Sequence, residues 1–515
     1  MIGVKNTGSN AFKYVVSALV RSFTNSQVVE IDKLTDELGV LVLISPDNGE
    51  LKEAMATNNI QKIVVFGTLP EEYSTKLGFE YRSWPSGNWP DAPTAETYQY
   101  SESPAKINYV KNIDTNFSPI ESRAMERFDF TDEWNNLGFG AVRHRGDIWS
   151  LSAPIHFDSQ YTVANVDDGG ATICTYSALV DCSDKSILWF NREVGPLDSY
   201  EWQLVEIFLS SYKASALICY PALLELPQGH DAVVTMRLDC DEDIESSRDL
   251  WNAYCEEKIP FSLAVHTSNL NDTRHFALMQ EVQQGGGAIL SHTATHAPNW
   301  GGTYESALSE AKVSAQLIEN VIKEPVQYAV SPFHHTPIYA LQALSDAGYL
   351  GCIGGIIKND PEFLTFNGGN LPDLPNTFIA HSQQVMLHGD CLLKDGGDPI
   401  RIYKEAFDLA KSSYTMFGYL DHPFSERYQY GWASEEQRVK VHIKLIEYIR
   451  MNSTSPCFLN EVQAMEFIQD KAKTLVSTRN NEPVIYLEAG YHKVSPLVPK
   501  LLYKGIVKEV AFSES

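Results

Sequence analysis

Two histidines four residues apart stand in Leu290-Ser291-His292-Thr293-Ala294-Thr295-His296, where an apolar run gives way to a loop containing Pro298, Gly301 and Gly302. Upstream, the apolar-rich run Val233 to Asp241 ends in two carboxylates, Asp239 and Asp241. Imidazoles and carboxylates delivered from two strand ends make a nitrogen and oxygen donor set that suits a divalent transition ion with positions left for water. Three protein ligands and an open position are the mark of a catalytic rather than a structural ion. Side chains alternate along a strand, so Arg237, Asp239 and Asp241 share one face while Met236, Leu238 and Cys240 share the other.

Two other uses of these residues fail on their spacing. A zinc protease helix needs Glu directly after the first histidine, and Thr293 stands there. Asp239, Asp241 and Asp243 imitate the start of a calcium loop, but Ile244 replaces the glycine of that loop and Leu250 replaces its closing glutamate.

The elements that must position the site follow from periodicity. From His230 onward, strand signals fall at 233 to 238, 261 to 266, 288 to 292, 326 to 331, 351 to 355, 384 to 388 and 415 to 420. Amphipathic helices lie between them, clearest at Tyr304 to Lys323 and Pro337 to Ala347, and another runs from Glu435 to Met451 after the last strand. This predicts a distorted seven-stranded (β/α) barrel over 230–472, whose chemistry would gather at the C-terminal strand ends. Residues 357 to 383, rich in Asn, Pro and Gly, read as an insertion over the site.

Ahead of the barrel, residues 1–225 read as a Rossmann-like α/β domain, with strands at Val40 to Ile44 and Ile63 to Phe66, and helices at Leu51 to Thr57 and from Glu71. Further strands are expected at Ile148 to Leu151, Tyr161 to Asn165, Ala171 to Leu179 and Ile187 to Phe190, and then a helix at Tyr200 to Tyr212. Pro221 to His230, with Pro221, Pro227 and Gly229, marks the boundary, and 473–515 read as a small β appendage.

A chain of 515 residues exceeds one ordinary core, and its 43% hydrophobic share supports packed globules, which predicts two or three domains. The net charge of -26 repels phosphate backbones and anionic membrane surfaces, which excludes nucleic acid as a partner. The 8 cysteines are scattered without a Cys-x-x-Cys pair, so reduced thiols are expected. Tyr14 to Val20 is too short for a secretory signal and is closed by Arg21, while Phe12, Val15, Val16, Leu19 and Phe23 fall at helical spacing. No apolar run is long enough to span a bilayer, and the expected location is the cytoplasm.

From about residue 230 to 470 the chain resembles the polysaccharide deacetylases, the NodB-homology or carbohydrate esterase family 4 group. The family motif His-Ser/Thr-x-x-His is matched by His292-Thr293-Ala294-Thr295-His296, its strand-end Asp pair by Asp239-Cys240-Asp241, and its late Leu-x-His by Leu420-Asp421-His422. The motif Arg-x-Pro-Tyr/Phe is met only in its second half, by Ser331-Pro332-Phe333, with Val330 in place of the arginine; Asp390 and Asp395 are candidates for the Asp-rich fourth motif.

The resemblance implies an N-acetyl hydrolase acting on an amino sugar or polysaccharide precursor, with a divalent metal, most suitably zinc, on Asp241, His292 and His296. It implies Asp239 as general base, His422 as general acid and the Phe333 N–H as oxyanion donor. Pro332, His334 and Trp300 are expected at the substrate, and Arg237 is expected to do the work of the arginine missing at Val330 by holding Asp239. The order of elements over residues 1–225 resembles the glutamine-amidotransferase-like domains; Cys174 lacks the flanking glycines of a nucleophile elbow, so that domain is expected to be non-catalytic.

Overall fold

The computed structural model describes residues 1–85, 105–125, 142, 144, 147–355, 366–387, 389, 398, 400–425 and 428–513. Two large sheets organise them in a mixed α/β fold. In the first, five parallel strands run in the order Val28–Ile31, Ile2–Lys5, Val40–Ile44, Lys62–Phe66 and Ser186–Phe190. Antiparallel strands Ala171–Asp181, Thr162–Asp168, Lys106–Tyr109 and Arg123–Ala124 extend it. Every residue of Val40–Ile44 and Lys62–Phe66 is buried, as expected of parallel strands covered on both faces. The expected strand at Ile148 to Leu151 is a turn instead. Asp147 accepts the Trp149 N–H on Oδ1 at 2.9 Å and the Ser150 N–H on its carbonyl at 3.1 Å, which leaves no more than a single bridge residue, Ser150, in place of a strand.

The second sheet carries the site. Its parallel strands run Ile379–Ser382, Gly351–Gly354, Tyr328–Val330, Ala288–Ser291, Ser262–Val265, Ala232–Cys240, Phe417–Asp421 and Val385–Met386. The two ends of that order are one stretch of chain. Ile379–Ser382 pairs with Gly351–Gly354, and after the Gln383 N–H reaches Gly354 O the Gln384 N–H turns to Gly418 O, so that Val385–Met386 pairs with Phe417–Asp421. The sheet therefore meets itself along residues 379–387. Helices Arg248–Glu257, Arg274–Gln284, Tyr304–Ile322, Ile338–Asp346, Arg401–Ser412 and Glu435–Asn452 lie between successive strands. Val234, Met236, Leu238 and Cys240 join the core those helices cover, while Arg237 and Asp239 occupy the alternate face.

One expectation changes in the second half. The supposed insertion 357 to 383 contains, among its described residues, the buried strand Ile379–Ser382, and Asn367 donates to Ser22 Oγ (3.1 Å) and Glu206 Oε1 (2.7 Å) on the first sheet's helices. Within the segment Pro221 to His230, Ala222–Pro227 is a buried strand paired with Pro499–Tyr503, and Gly229 beyond it is exposed. Nearby, Thr474–Arg479 and Glu482–Leu487 form a hairpin whose two-residue turn, Asn480 and Asn481, supplies the positive φ at both positions that such a tight turn needs.

Candidate metal centre

Asp241 follows the last residue of Ala232–Cys240, and the strand end is tied off by its neighbours: Asn269 Nδ2 donates to Cys240 O at 3.1 Å, and His266 Nδ1 lies 3.0 Å from Asp241 O. His292 continues Ala288–Ser291 by donating its N–H to Val265 O at 2.8 Å. Its Nδ1 lies 3.2 Å from Val330 O; a carbonyl only accepts, so Nδ1 carries the proton and Nε2 is left with a lone pair toward the site. His296 is placed by the loop. Thr293 (φ 67) accepts the His296 N–H on Oγ1 at 2.9 Å, and Glu310, on helix Tyr304–Ile322, accepts the N–H groups of Ala294 and Thr295 at 2.8 Å each. Sequence reasoning missed Glu310 because nothing in its spacing marks which loop its helix will cover.

The three candidate ligand atoms form a nearly equilateral triangle. His292 Nε2 and His296 Nε2 are 3.1 Å apart, and each is 3.3 Å from Asp241 Oδ1. Ligands about 2.0–2.1 Å from a tetrahedral zinc stand roughly 3.3–3.4 Å from one another, so the triangle has the size of one face of such a site. Asp241 Oδ1 is buried and meets no hydrogen-bond donor. A proton on one imidazole satisfies a single edge of this triangle, whereas a cation satisfies all three atoms. The donor set fits a divalent ion.

The electrostatics of Asp241 and His296 agree with that fit. Burial opposes the charge on Asp241, yet His292, His422 and His296 hold its carboxyl well below the usual carboxylate range. Burial, and then His292, bring the His296 imidazole down to about 4, so it is neutral and able to ligate at neutral pH. His292 is raised, because Asp239 and Asp241 outweigh its burial.

Asp239, Asp241, His292, His296, Ser331, Phe333, His334, Met386, His422 and Tyr430 line one cavity of about 210 Å³. Arg237, fully buried, donates from Nε to Asp239 Oδ1 (2.7 Å) and from Nη2 to Oδ2 (3.3 Å), while Nη1 reaches Gly354 O at 3.0 Å. Burial works against the charge of Asp239, but Arg237 first and then His292 hold its carboxyl below the usual range.

Across the cavity, His422 Nε2 lies 3.8 Å from Asp241 Oδ2 and its ring stacks on Tyr430. The chain just before His422 is fixed from beneath. Buried Asp421 accepts the His422 N–H at 2.8 Å and faces His442 Nε2 at 2.9 Å, and Arg438 donates to His422 O at 2.8 Å. Phe333 (φ 52) is 43% exposed at the cavity mouth, its ring 4.5 Å from that of His296.

Not every expected contact is there. Pro332 is buried and does not line the cavity. Trp300 is fully buried and donates from Nε1 to His335 O at 3.0 Å, so it props the loop from below and presents no face to a substrate. His334 does line the cavity, and burial pulls its imidazole down to about 3. Met386 and Ser331 reach the cavity without having been singled out. Asp390 and Asp395 lie outside the described residues.

The parallel strand ends of the first sheet are built differently. Ser9 and Ser45 donate to the two carboxylate oxygens of Glu193, at 2.6 and 2.9 Å, and the Thr68 N–H closes on Ser45 Oγ at 3.2 Å. Cys174 sits inside strand Ala171–Asp181, buried, its thiol pushed far up by that burial. Among the described residues no helix is long and apolar enough to cross a membrane.

No family model and no curated protein matches the chain. Solved structures that resemble it include a family 4 acetyl xylan esterase from Clostridium thermocellum in complex with a cobalt ion, at 9% identity over 45% of this chain and 90% of that one, with a TM-score of 0.31. A family 4 carbohydrate esterase from Streptomyces lividans in complex with acetate gives 10% identity over 44% and 92%, with a TM-score of 0.31. Puue allantoinase gives 11% identity over 47% and 92%, with a TM-score of 0.37. The family whose motifs the sequence resembles is thus represented among these structural neighbours.

Proposed function

We propose that this chain is a metal-dependent hydrolase that removes an N-acetyl group from an amino sugar or sugar derivative, in the cytoplasm, during surface polysaccharide synthesis. The observation that carries the reading is the convergence of Asp241 Oδ1, His292 Nε2 and His296 Nε2 in a cavity also lined by Asp239 and His422. We read the second sheet as a distorted seven-stranded barrel over 230–472, residues 1–225 as a Rossmann-like, non-catalytic unit, and 473–515 as the appendage.

Asp241, His292 and His296 would hold the ion, and zinc suits two nitrogens and one carboxylate oxygen. When bound, such an ion supplies a Lewis acid that polarises the acyl oxygen and lowers the pKa of water. Asp239, kept ionised and oriented by Arg237, takes the proton of the attacking water. His422 gives a proton to the departing amine, whose C–N bond breaks as the acetyl group leaves as acetate. The Phe333 N–H is the donor assigned to the acyl oxygen as it gains charge, a contact worth about 3 kcal/mol of barrier.

Metal analysis of the purified protein, followed by an acetate-release screen over free and nucleotide-linked N-acetyl sugars, tests the reading. It expects one divalent ion per chain and acetate from at least one sugar. Metal binding without acetate from any of them would favour a carbohydrate-binding protein, and cleavage of a different C–N bond would favour a related amide hydrolase.

A further inference from the structure

Tyr430 is an aromatic residue at the tip of a tight turn, with φ 47, followed by Gly431 at φ 78. That left-handed backbone is sparsely populated for a bulky residue, and it persists where its surroundings fix it. Here the fixing is visible. The Gly389 N–H donates to Tyr430 O at 2.9 Å, and a side chain at Gly389 would run into the Gly431 backbone, at 2.1 Å from its carbonyl carbon. The turn delivers the ring to a defined place. Its centroid lies 4.1 Å from that of His422, with the planes only 9° apart, and its hydroxyl donates to Asp241 Oδ2 at 3.2 Å.

Asp241 is therefore divided between two tasks. Oδ1 faces the imidazoles of His292 and His296, while Oδ2 is held by the Tyr430 hydroxyl on the side where His422 Nε2 approaches. A carboxylate pivots about its Cβ–Cγ bond, so fixing one oxygen fixes the direction of the other. An imidazole likewise turns about its own Cβ–Cγ bond, and a ring stacked flat against it removes that freedom. One side chain thus sets the aim of a metal ligand and of the residue opposite.

We propose that Tyr430 is a positioning residue with two separable actions, its hydroxyl orienting Asp241 for the metal and its ring fixing the plane of His422 for proton transfer. The inference rests on the metal-hydrolase reading above, but its first half is measured without turnover. Partners of this kind, one contact removed from the ion, typically change metal affinity or activity about 10–100-fold when lost.

The experiment compares the full-length protein with Tyr430→Phe and Tyr430→Leu. Zinc affinity is read by competition with a chromophoric chelator, and kcat and KM are read at saturating zinc on the substrate found in the acetate screen. Far-ultraviolet circular dichroism and thermal melting check that each variant folds. Tyr430→Phe keeps the ring and loses the hydroxyl, so its zinc dissociation constant should rise roughly tenfold or more. Tyr430→Leu loses both, and at saturating zinc its kcat should fall about tenfold or more below that of the Phe variant, with KM moved far less. An unchanged zinc affinity in Tyr430→Phe overturns the first action, and equal kcat in the two variants overturns the second. Wild-type protein that binds zinc but releases no acetate overturns the deacetylase reading while leaving the affinity test of Tyr430 intact. Wild-type protein that binds no zinc overturns both.

Discussion

Both sheets end their parallel strands in polar residues, and the two sets of ends behave in opposite ways. At the first sheet, Ser9, Ser45 and the Thr68 N–H satisfy Glu193 and one another, so each acceptor already has its donor. At the second sheet, Asp241 Oδ1 is buried with no donor within hydrogen-bond geometry, and His292 Nε2 and His296 Nε2 each stand 3.3 Å from it. Buried acceptors left facing one another cost free energy unless something positive joins them. The difference teaches that a polar cluster at a favourable place in the fold marks chemistry only where its members fail to satisfy each other.

The strongest way to break that contrast is to remove a vertex of the triangle. His292→Ala should strip zinc from the protein and lower activity by roughly a thousandfold or more, equivalent to about 4 kcal/mol of barrier. Full metal occupancy in that variant, measured by elemental analysis on folded protein, would sink the assignment.

A subtler change sharpens it. Arg237→Met leaves the triangle in place but deprives Asp239 of the guanidinium that most depresses its pKa. The carboxyl's pKa then rises, a higher pH is needed to ionise it, and the acidic limb of the pH–rate profile should move upward while metal content holds. The depressed carboxyl also contributes stability that is present above the unfolded pKa of about 3.9 and is lost as pH falls through its folded value. Breaking so buried a pair should cost about 3–5 kcal/mol at neutral pH, read from chemical denaturation. An unchanged profile with normal turnover would make Arg237 purely structural.

The smallest effect is expected at the other sheet. Glu193→Gln keeps an oxygen for one serine and weakens the other contact, so it should shift stability by about 1 kcal/mol and leave acetate release as it was. Loss of activity in that variant would mean that the first sheet takes part in the chemistry after all.

Much of this arrangement was legible in the residues. The runs that became Ala232–Cys240, Ser262–Val265, Ala288–Ser291 and Gly351–Gly354 are apolar and bounded by turn signals, and the change from apolar run to Pro- and Gly-containing loop placed His292 and His296 at a strand end. Ile379–Ser382 was not legible, because its second half, His381 and Ser382, is polar and its partner strand comes from elsewhere in the chain. Nor was Pro456–Leu459, a short strand that pairs with the first half of Ala232–Cys240. Trp300 misled because an aromatic among Pro298, Gly301 and Gly302 reads as exposed, whereas its indole N–H had a carbonyl to find. Tyr430 left only a partial trace: in Tyr428-Gln429-Tyr430-Gly431-Trp432 the glycine marks a turn among aromatics, but not which ring faces the cavity.

The double pairing of residues 379–387 bears on how the chain reaches this state. That stretch cannot settle until Gly351–Gly354 and Phe417–Asp421 are both in place, and the residues just before it reach back to Ser22, 345 positions away. Ser26 is tied to Val476 across 450 positions, and Ala222–Pro227 waits for Pro499–Tyr503. Loop closure over such distances precedes any reward from the contacts made, so folding should be slow and its last step late. On the ribosome, at roughly 5–20 residues per second, the first sheet would spend tens of seconds with its neighbouring strand unpaired. For that interval Ala222–Pro227 is an open edge carrying three leucines, a surface that a chaperone, or a second nascent chain, is well placed to take up.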